Sequence, residues 1–374
     1  MTMTYPDIPA DARLYLEPAC FVERPHDLDG RVARIGRSML WFAGWSVRWR
    51  AAGGGRKLGQ TLIFVEAADA WIAALPAPLT EQAELQRAGV AAERAPLVLG
   101  ERTIRFDEPS VMGVLNVTPD SFSDGGAHDG TEAAVDAGFA RASAGASTVD
   151  VGGESTRPGA KPVWEGDEIA RVVPVVERLA KSGVAVSVDT RKSAVMEAAL
   201  GAGAGIVNDV SALLYDERAL AVVRDAGCPV VLMHAPSQTS DPHSHDGYDD
   251  ALLDVFDWLA ARIDAVVASG ISRDKIIVDP GIGFGKSIAE NLAITNHLAL
   301  FHALGCPLLY GASRKRMIGA IDGEAEANDR LGGSIALHMR AVELGANIVR
   351  VHDVRETMQA VKTWRALRDA ALVS

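Results

Sequence analysis

Eight short apolar runs, each closing on a polar or charged residue and a loop, constrain the fold of this 374-residue chain more than any other feature. The first four are Val111 to Val117 with Asn116, Ser147 to Gly153, Val184 to Thr190 with Asp189, and Gly205 to Val210 with Asn208 and Asp209. Then come Pro229 to His234, Ile276 to Gly281 with Asp279, Pro307 to Ser313 leading into Arg314 and Lys315, and Asn347 to Val354 with Arg350 and His352. Segments with apolar residues at helical spacing separate them, such as Ile169, Val172, Val173, Val176 and Leu179. Near-continuous apolar strands are buried on both faces and are therefore parallel. Eight strand-helix units in about 265 residues match a (β/α)₈ TIM barrel, whose usual length is about 250. An open doubly wound sheet is the alternative, and it carries a Gly-rich turn after its first strand. Here that turn reads Asn116-Val117-Thr118-Pro119-Asp120-Ser121-Phe122, so the barrel is the expected fold.

Whole-chain properties exclude several classes. A net charge of −12 argues against a nucleic-acid surface. No window of about 18 uninterrupted apolar residues is present to span a membrane. Met1 to Asp7 has neither a basic stretch nor an apolar run, so no signal peptide is expected. Cys20, Cys228 and Cys306 lack metal-type spacing and are odd in number, which points to a reducing cytoplasm. Cys228 and Cys306 each precede a proline at the start of a strand, where small buried side chains are expected.

Residues 1–105 read as a separate small α+β domain without a chemical motif, and residues 106–374 as the barrel. Trp45, Val47 and Trp49 alternate with Ser46, Arg48 and Arg50 before Gly53-Gly54-Gly55 and Leu62 to Val65, which predicts a hairpin packed on a helix over Ala67 to Leu75. Trp41, Trp45 and Trp49 are also spaced by four, so one helix face stays open as the alternative. Either way they make a small core rather than a binding surface. Ala88 to Pro96 is the expected linker or docking segment.

Three partial motifs carry no chemistry. Gly281 to Ser287 resembles a phosphate loop, but Pro280 stands where the loop needs glycine. Gly201, Gly203 and Gly205 lack the third glycine of a dinucleotide turn and instead end a helix. His243 and His245, with His234 nearby, lie in an Asp- and Ser-rich loop that reads as solvated rather than metal-binding.

The strand ends converge at one mouth, where barrel enzymes keep their sites. Arg157, Lys315 and Arg350 bring three cations there, which suits phosphate or pyrophosphate. Asn116 and His352 offer neutral ligating atoms, and a phosphate site of this kind commonly carries Mg²⁺ with one or two protein ligands. Asp189, Asp279 and Asn208 suit a flat heterocycle with N–H donors and ring-nitrogen acceptors.

These residues lie in long motifs. Met112 to Gly126, Asp150 to Ala160, Ser187 to Lys192, Asn208-Asp209-Val210, Asp279 to Lys286, Ser313-Arg314-Lys315 and Arg350 to Val354 together resemble the signature series of the dihydropteroate synthases, over about 110 to 365. The resemblance implies condensation of (7,8-dihydropterin-6-yl)methyl diphosphate with 4-aminobenzoate, giving 7,8-dihydropteroate and diphosphate. By the same resemblance Asn116 ligates Mg²⁺, Arg350 and His352 hold the diphosphate, and Thr156 and Arg157 join loop two to it. Asp189, Asn208, Asp279 and Lys315 would bond the pterin edge, with Met233 and Phe284 as apolar walls and Arg350 flat against the ring. Phe122 and Pro158 would line the aminobenzoate pocket that sulfonamides mimic. Asp189 and, on loop one, Asp124 would stabilise positive charge on the ring, with Lys315 and Arg350 completing the catalytic set. Loops one and two, Asn116 to Gly130 and Gly152 to Glu165, are expected to close after the diphosphate binds. A homodimer through the late helices is implied as well.

Two departures from the family pattern stand out: about 105 residues precede the barrel, and the loop Ala235 to Pro242 lacks the more common Met- and Gly-rich composition. A pterin-binding methyltransferase and a catalytically silent pterin-binding paralogue are the alternative functions. The first has no need of the Ser-Arg-Lys and Arg-Val-His-Asp pair, and the second would be expected to lose the loop motifs.

Overall fold

The computed structural model describes residues 6–118, 127–157, 159–237, 241–244 and 247–373. Its first part is an antiparallel sheet of β1 (Ala12–Val22), β2 (Ala33–Arg34), β3 (Trp41–Ala51) and β4 (Gly59–Phe64), followed by α1 (Val65–Ala73) and α2 (Ala77–Ala91). Trp41, Trp45 and Trp49 therefore lie on a strand, not on a helix face. Strand β3 is central, paired with β1 along one edge and with β4 and β2 along the other. Alternation sorts its side chains: Trp45, Val47 and Trp49 join the apolar core, while Arg48 and Arg50 face the barrel. Helix α1 starts two residues before the predicted Ala67, and the predicted linker from Ala88 begins as the last turn of α2.

Strand β1 would be an open edge, but α2 covers it. The Leu14 and Leu16 N–H groups donate to the Gln82 and Gln86 side-chain oxygens at 3.0 and 2.8 Å, and the Gln86 amide returns a bond to the Leu14 carbonyl at 2.7 Å. Two glutamines one helical turn apart thus satisfy backbone groups that a neighbouring strand would otherwise claim.

The barrel strands are β7 (Ser110–Asn116), β8 (Thr148–Gly152), β9 (Val186–Asp189), β10 (Ile206–Asp209), β11 (Val230–Met233), β12 (Ile276–Asp279), β13 (Leu309–Tyr310) and β14 (Ile348–Val351). All pair in parallel in the order β12-β11-β10-β9-β8-β7-β14-β13, and a parallel bridge between Val278 and Leu308 closes the ring. Helices α3 (Ala127–Ser143), α4 (Glu165–Lys181), α5 (Ser193–Gly201), α6 (Ala219–Ala226), α7 (Ala251–Ala268), α8 (Ile288–Asn296), α9 (Arg316–Ile321), α10 (Leu331–Glu343) and α11 (Val354–Val373) follow the strands. The expected (β/α)₈ barrel with a small antiparallel N-terminal part is the fold found.

One unpredicted element seals the barrel floor. A short hairpin, β5 (Leu97–Leu99) and β6 (Arg102–Ile104), packs Leu97, Leu99, Ile104 and then Phe106 against the inward residues Met112, Ala185, Ile206, Val231, Ile277, Leu309 and Ile348. Residues 97–106 thus contribute to the barrel interior. Cys306 is buried as expected, whereas Cys228 is only half-buried, because it lies in the turn that joins α6 to β11.

The N-terminal sheet is keyed to the barrel flank by charge and shape. Arg50 pairs with Asp254 at 2.5 Å and with Asp257, and also donates to the Tyr15 hydroxyl at 2.7 Å. Buried Arg48 and Glu17 pair beside His297. Helix α2 meets the 3-10 helix Leu298–Leu304 at Gly89, where a Cβ would sit 2.3 Å from the Ala303 carbonyl oxygen. Only glycine allows that approach.

Candidate active site

Because side chains two residues apart on a strand share a face, the layer above the apolar floor is fixed by the floor itself. It contains Ser187, Asn208, Met233, Asp279 and Arg350, with Asp150 from β8 between them. This layer is polar and buried: Asp150 is 0% exposed, Asn208 6% and Asp279 7%. Arg350 organises it. Its Nε donates to Asp150 Oδ2 at 2.6 Å and its Nη2 to Asp189 Oδ2 at 2.5 Å, while Asn208 Nδ2 donates to the same Asp150 oxygen at 2.9 Å. Burial alone would lower the Arg350 pKa, but the Asp150 and Asp189 carboxylates hold it above the ordinary arginine value. Burial pushes the Asp189 carboxyl up, against the pull of the Arg350 guanidinium. Asp279 is likewise raised by burial, opposed by the Gly281 N–H that it accepts at 2.7 Å.

The turn after β12 shapes one wall. Gly281 and Gly283 have φ of +69° and +80°, and a Cβ would lie 1.9 Å from the His234 carbonyl oxygen at the first and 2.6 Å from Lys315 Cδ at the second. Close packing and positive φ therefore require glycine at both positions. The turn leaves Phe284 in an apolar cluster with Val210, Met233 and Ala235, and the Lys315 ammonium 4.4 Å from the Phe284 ring centroid. Lys315 donates to the Ile282 carbonyl, and burial lowers its pKa to about 8.

Lys286 closes the same turn from behind. Its ammonium reaches His234 Nδ1 at 3.0 Å and the Gly281 and Phe284 carbonyls at 2.9 and 3.2 Å. Burial lowers its pKa to about 7. The folded chain therefore releases this proton at lower pH than the unfolded chain, and stability rises with pH from about 7 toward the ordinary lysine range. Lys286→Met is expected to remove that rise. Denaturant titrations at several pH values between about 7 and 9 check it, and equal slopes in both proteins would rule it out.

Loop two is clasped at its roots. Lys192 donates to Glu154 at one root and to the Val163 carbonyl at the other, 2.8 Å away, and to Glu168 at 2.6 Å. Glu154 also accepts from Arg191 at 2.7 Å, and its pKa is lowered overall: burial raises it, but Lys192 and Arg191 outweigh that. Lys192→Met would leave Glu168, 1% exposed, without its cation, and is expected to cost about 3 kcal/mol of stability. Urea denaturation reads the loss, and a cost below about 1 kcal/mol would contradict this role.

Most residues predicted from the sequence meet here. Asp189, Asn208, Met233, Asp279, Phe284, Lys315 and Arg350 line the mouth, with Asn116 half-buried at the end of β7. His352 bonds Ser313 Oγ through its backbone N–H and Nδ1 at 3.1 and 3.0 Å. Burial and Arg350 lower its pKa to about 3, so its imidazole is neutral near pH 7. Arg157 is exposed on loop two, and its charge reaches His352. Thr156 enters through its carbonyl, which His243 Nε2 approaches at 3.0 Å. Phe122, Asp124 and Pro158 lie outside the described residues. The sequence reading missed Asp150, whose signal was strand parity, and the supports Glu154, Lys192 and Lys286, which sit inside the quoted motifs.

A layer of carboxylates and an amide, walled by Phe284 and Met233 and flanked by cations, has the chemistry that suits a flat, hydrogen-bonding ring with an anionic tail. The family model described as pterin binding enzyme matches residues 112–352. Dihydropteroate synthase of Escherichia coli K12 is 42% identical over 269 residues, covering 72% of this chain and 95% of that protein. A probable bifunctional folylpolyglutamate synthase/dihydropteroate synthase of Haloferax volcanii is 48% identical over 264 residues, 70% of this chain but only 31% of that longer protein. The structure of Xanthomonas albilineans dihydropteroate synthase with 4-aminobenzoic acid superposes with a TM-score of 0.69 at 46% identity, covering 73% of this chain and 98% of that one. The chain belongs to the dihydropteroate synthase family of pterin-binding enzymes.

Proposed function

We propose that the chain condenses (7,8-dihydropterin-6-yl)methyl diphosphate with 4-aminobenzoate, forming 7,8-dihydropteroate and diphosphate on the route to tetrahydrofolate. The observation that carries this is the Asp150-Arg350-Asp189 array, built on the buried Asp150 beside Asn208 and Asp279, in a chain of this family. Asp279, Asn208 and Lys315 hold the pterin edge, Met233 and Phe284 its faces, and Arg350 and His352 the diphosphate with Thr156 and Arg157. Cleavage of the C–O bond leaves positive charge on a methylene conjugated with the pterin, and the Asp189 carboxylate, joined by Asp124 of loop one, stabilises it. An aryl amine is neutral at pH 7, so no strong general base is required. Phe122 and Pro158 line the aminobenzoate pocket, which sulfonamides would occupy as mimics of that substrate. The methyltransferase alternative leaves the Ser313-to-Lys315 and Arg350-to-His352 pair without a use.

Mg²⁺ fits the donors present. The Asn116 side chain has no hydrogen-bond partner among the described residues and ends its strand at the mouth, offering an amide oxygen. Asn116 is the residue that would hold the cation, together with oxygens of the bound diphosphate. When bound, it would neutralise charge on the leaving group. Diphosphate release in the presence of excess chelator tests this: loss of turnover, restored by added Mg²⁺, is expected, and undiminished turnover would refute it.

A homodimer through the late helices is part of the same proposal, supported by Leu367 on α11, which is 68% exposed. Light scattering tests it, and a monomer at all concentrations would exclude it. The cytoplasm is the proposed location, supported by three cysteines without a disulfide. Among the described residues no helix is long and apolar enough to cross a membrane.

A further inference from the structure

The structure gives a place to the histidine of the loop after β11. The His243 ring stacks on Phe284 with centroids 5.0 Å apart and planes 7° from parallel. The Gly285 N–H donates to His243 Nδ1 at 3.3 Å, and His243 Nε2 lies 3.0 Å from the Thr156 carbonyl. Those partners fix the proton: a backbone N–H can only donate and a carbonyl can only accept, so Nδ1 is the acceptor and Nε2 carries the hydrogen. His243 is half-buried, its own N–H donates to Asp241 Oδ1 at 3.0 Å, and Pro242 beside it is buried. One imidazole therefore touches Phe284 on one side and the Thr156 backbone of loop two on the other.

We propose that His243 is a positioning residue that ties loop two to the pterin wall. It steadies Phe284 by stacking, and it fixes the Thr156 carbonyl, hence the tip of loop two next to Arg157, by a hydrogen bond. Its two contacts are separable chemically. Phenylalanine keeps a ring on Phe284 and loses the donor, whereas glutamine keeps a donor and loses the ring. Lys192 clasps the roots of the same loop, so His243 acts on the segment between them.

The proposal rests on the proposed synthase activity for its kinetic readout alone. His243→Phe is expected to raise KM for 4-aminobenzoate about fivefold, the effect of one hydrogen bond, and to leave affinity for the pterin diphosphate within about twofold. His243→Gln is expected to weaken pterin diphosphate binding about fivefold, the effect of one lost ring stack, with KM for 4-aminobenzoate within about twofold. Amide exchange of the loop-two peptide around Thr156 should speed up in His243→Phe and stay unchanged in His243→Gln. Equal losses in both variants, or parent-like values in both, would overturn the proposal. If the unmodified chain forms no product, the activity assignment fails by itself, while pterin binding and amide exchange still decide the role of His243.

Discussion

Replacing Arg350 with lysine is expected to lower kcat/KM for dihydropteroate formation by about a thousandfold, equivalent to about 4 kcal/mol of transition-state stabilisation. Arg350 holds Asp150 and Asp189 with two different nitrogens of one planar fork, at 2.6 and 2.5 Å. Lysine keeps the charge but is a point donor on a flexible stem, so it cannot hold both carboxylates in that geometry and also present a flat face to the ring. Asp150 is wholly buried and shared with Asn208, so an altered cation also disturbs the Asn208 amide, which is proposed to bind the pterin edge. Charge is conserved by the substitution, which keeps the buried carboxylates compensated and the chain folded. Initial rates with both substrates check the prediction alongside a thermal melt. A folded variant within tenfold of the parent would remove Arg350 from the catalytic set.

The second large effect concerns the N-terminal part. Removing residues 1–96 is expected to give an insoluble or aggregating barrel, because the 3-10 helix Leu298–Leu304, wholly buried in the intact chain, and Phe256 on α7 would lose their cover. A milder version isolates the electrostatic key. Arg50→Ala takes the cation from Asp254 and leaves Asp257 with Arg13 alone, and is expected to cost about 3 kcal/mol. Urea denaturation of the full chain reads that loss. A soluble, fully active 97–374 barrel would show that the sheet is accessory.

The barrel was legible because parallel strands buried on both faces leave unbroken apolar runs, and because its working residues sit where those runs end. Asp189, Asn208, Asp279, Lys315 and Arg350 all met at one mouth for that reason. Asp150 was harder to see: it opens the Asp150-to-Ala160 motif but lies within an apolar run, and the inward parity of β8 is what brings it into the site. Gly281 and Gly283 looked like a failed phosphate loop, since a sequence does not reveal that the His234 carbonyl and Lys315 press against them. The tryptophans at spacing four fit a strand and a helix alike, and pairing with β1 and β4 decided between them. Strand β1 went unread, because Pro18 interrupts its pattern and its partner β3 is distant in sequence. His243 read as solvated, since neither Phe284 nor Thr156 is near it along the chain.

The measurement that bears most directly on the account is dihydropteroate formation by the purified chain, with diphosphate release followed in parallel. Dihydropterin diphosphate, 4-aminobenzoate and Mg²⁺ are supplied together and then singly omitted. Product that requires all three and matches diphosphate one for one is the expected result. Tight binding of the pterin diphosphate with no dihydropteroate formed would contradict it and leave a pterin-binding protein without synthase activity.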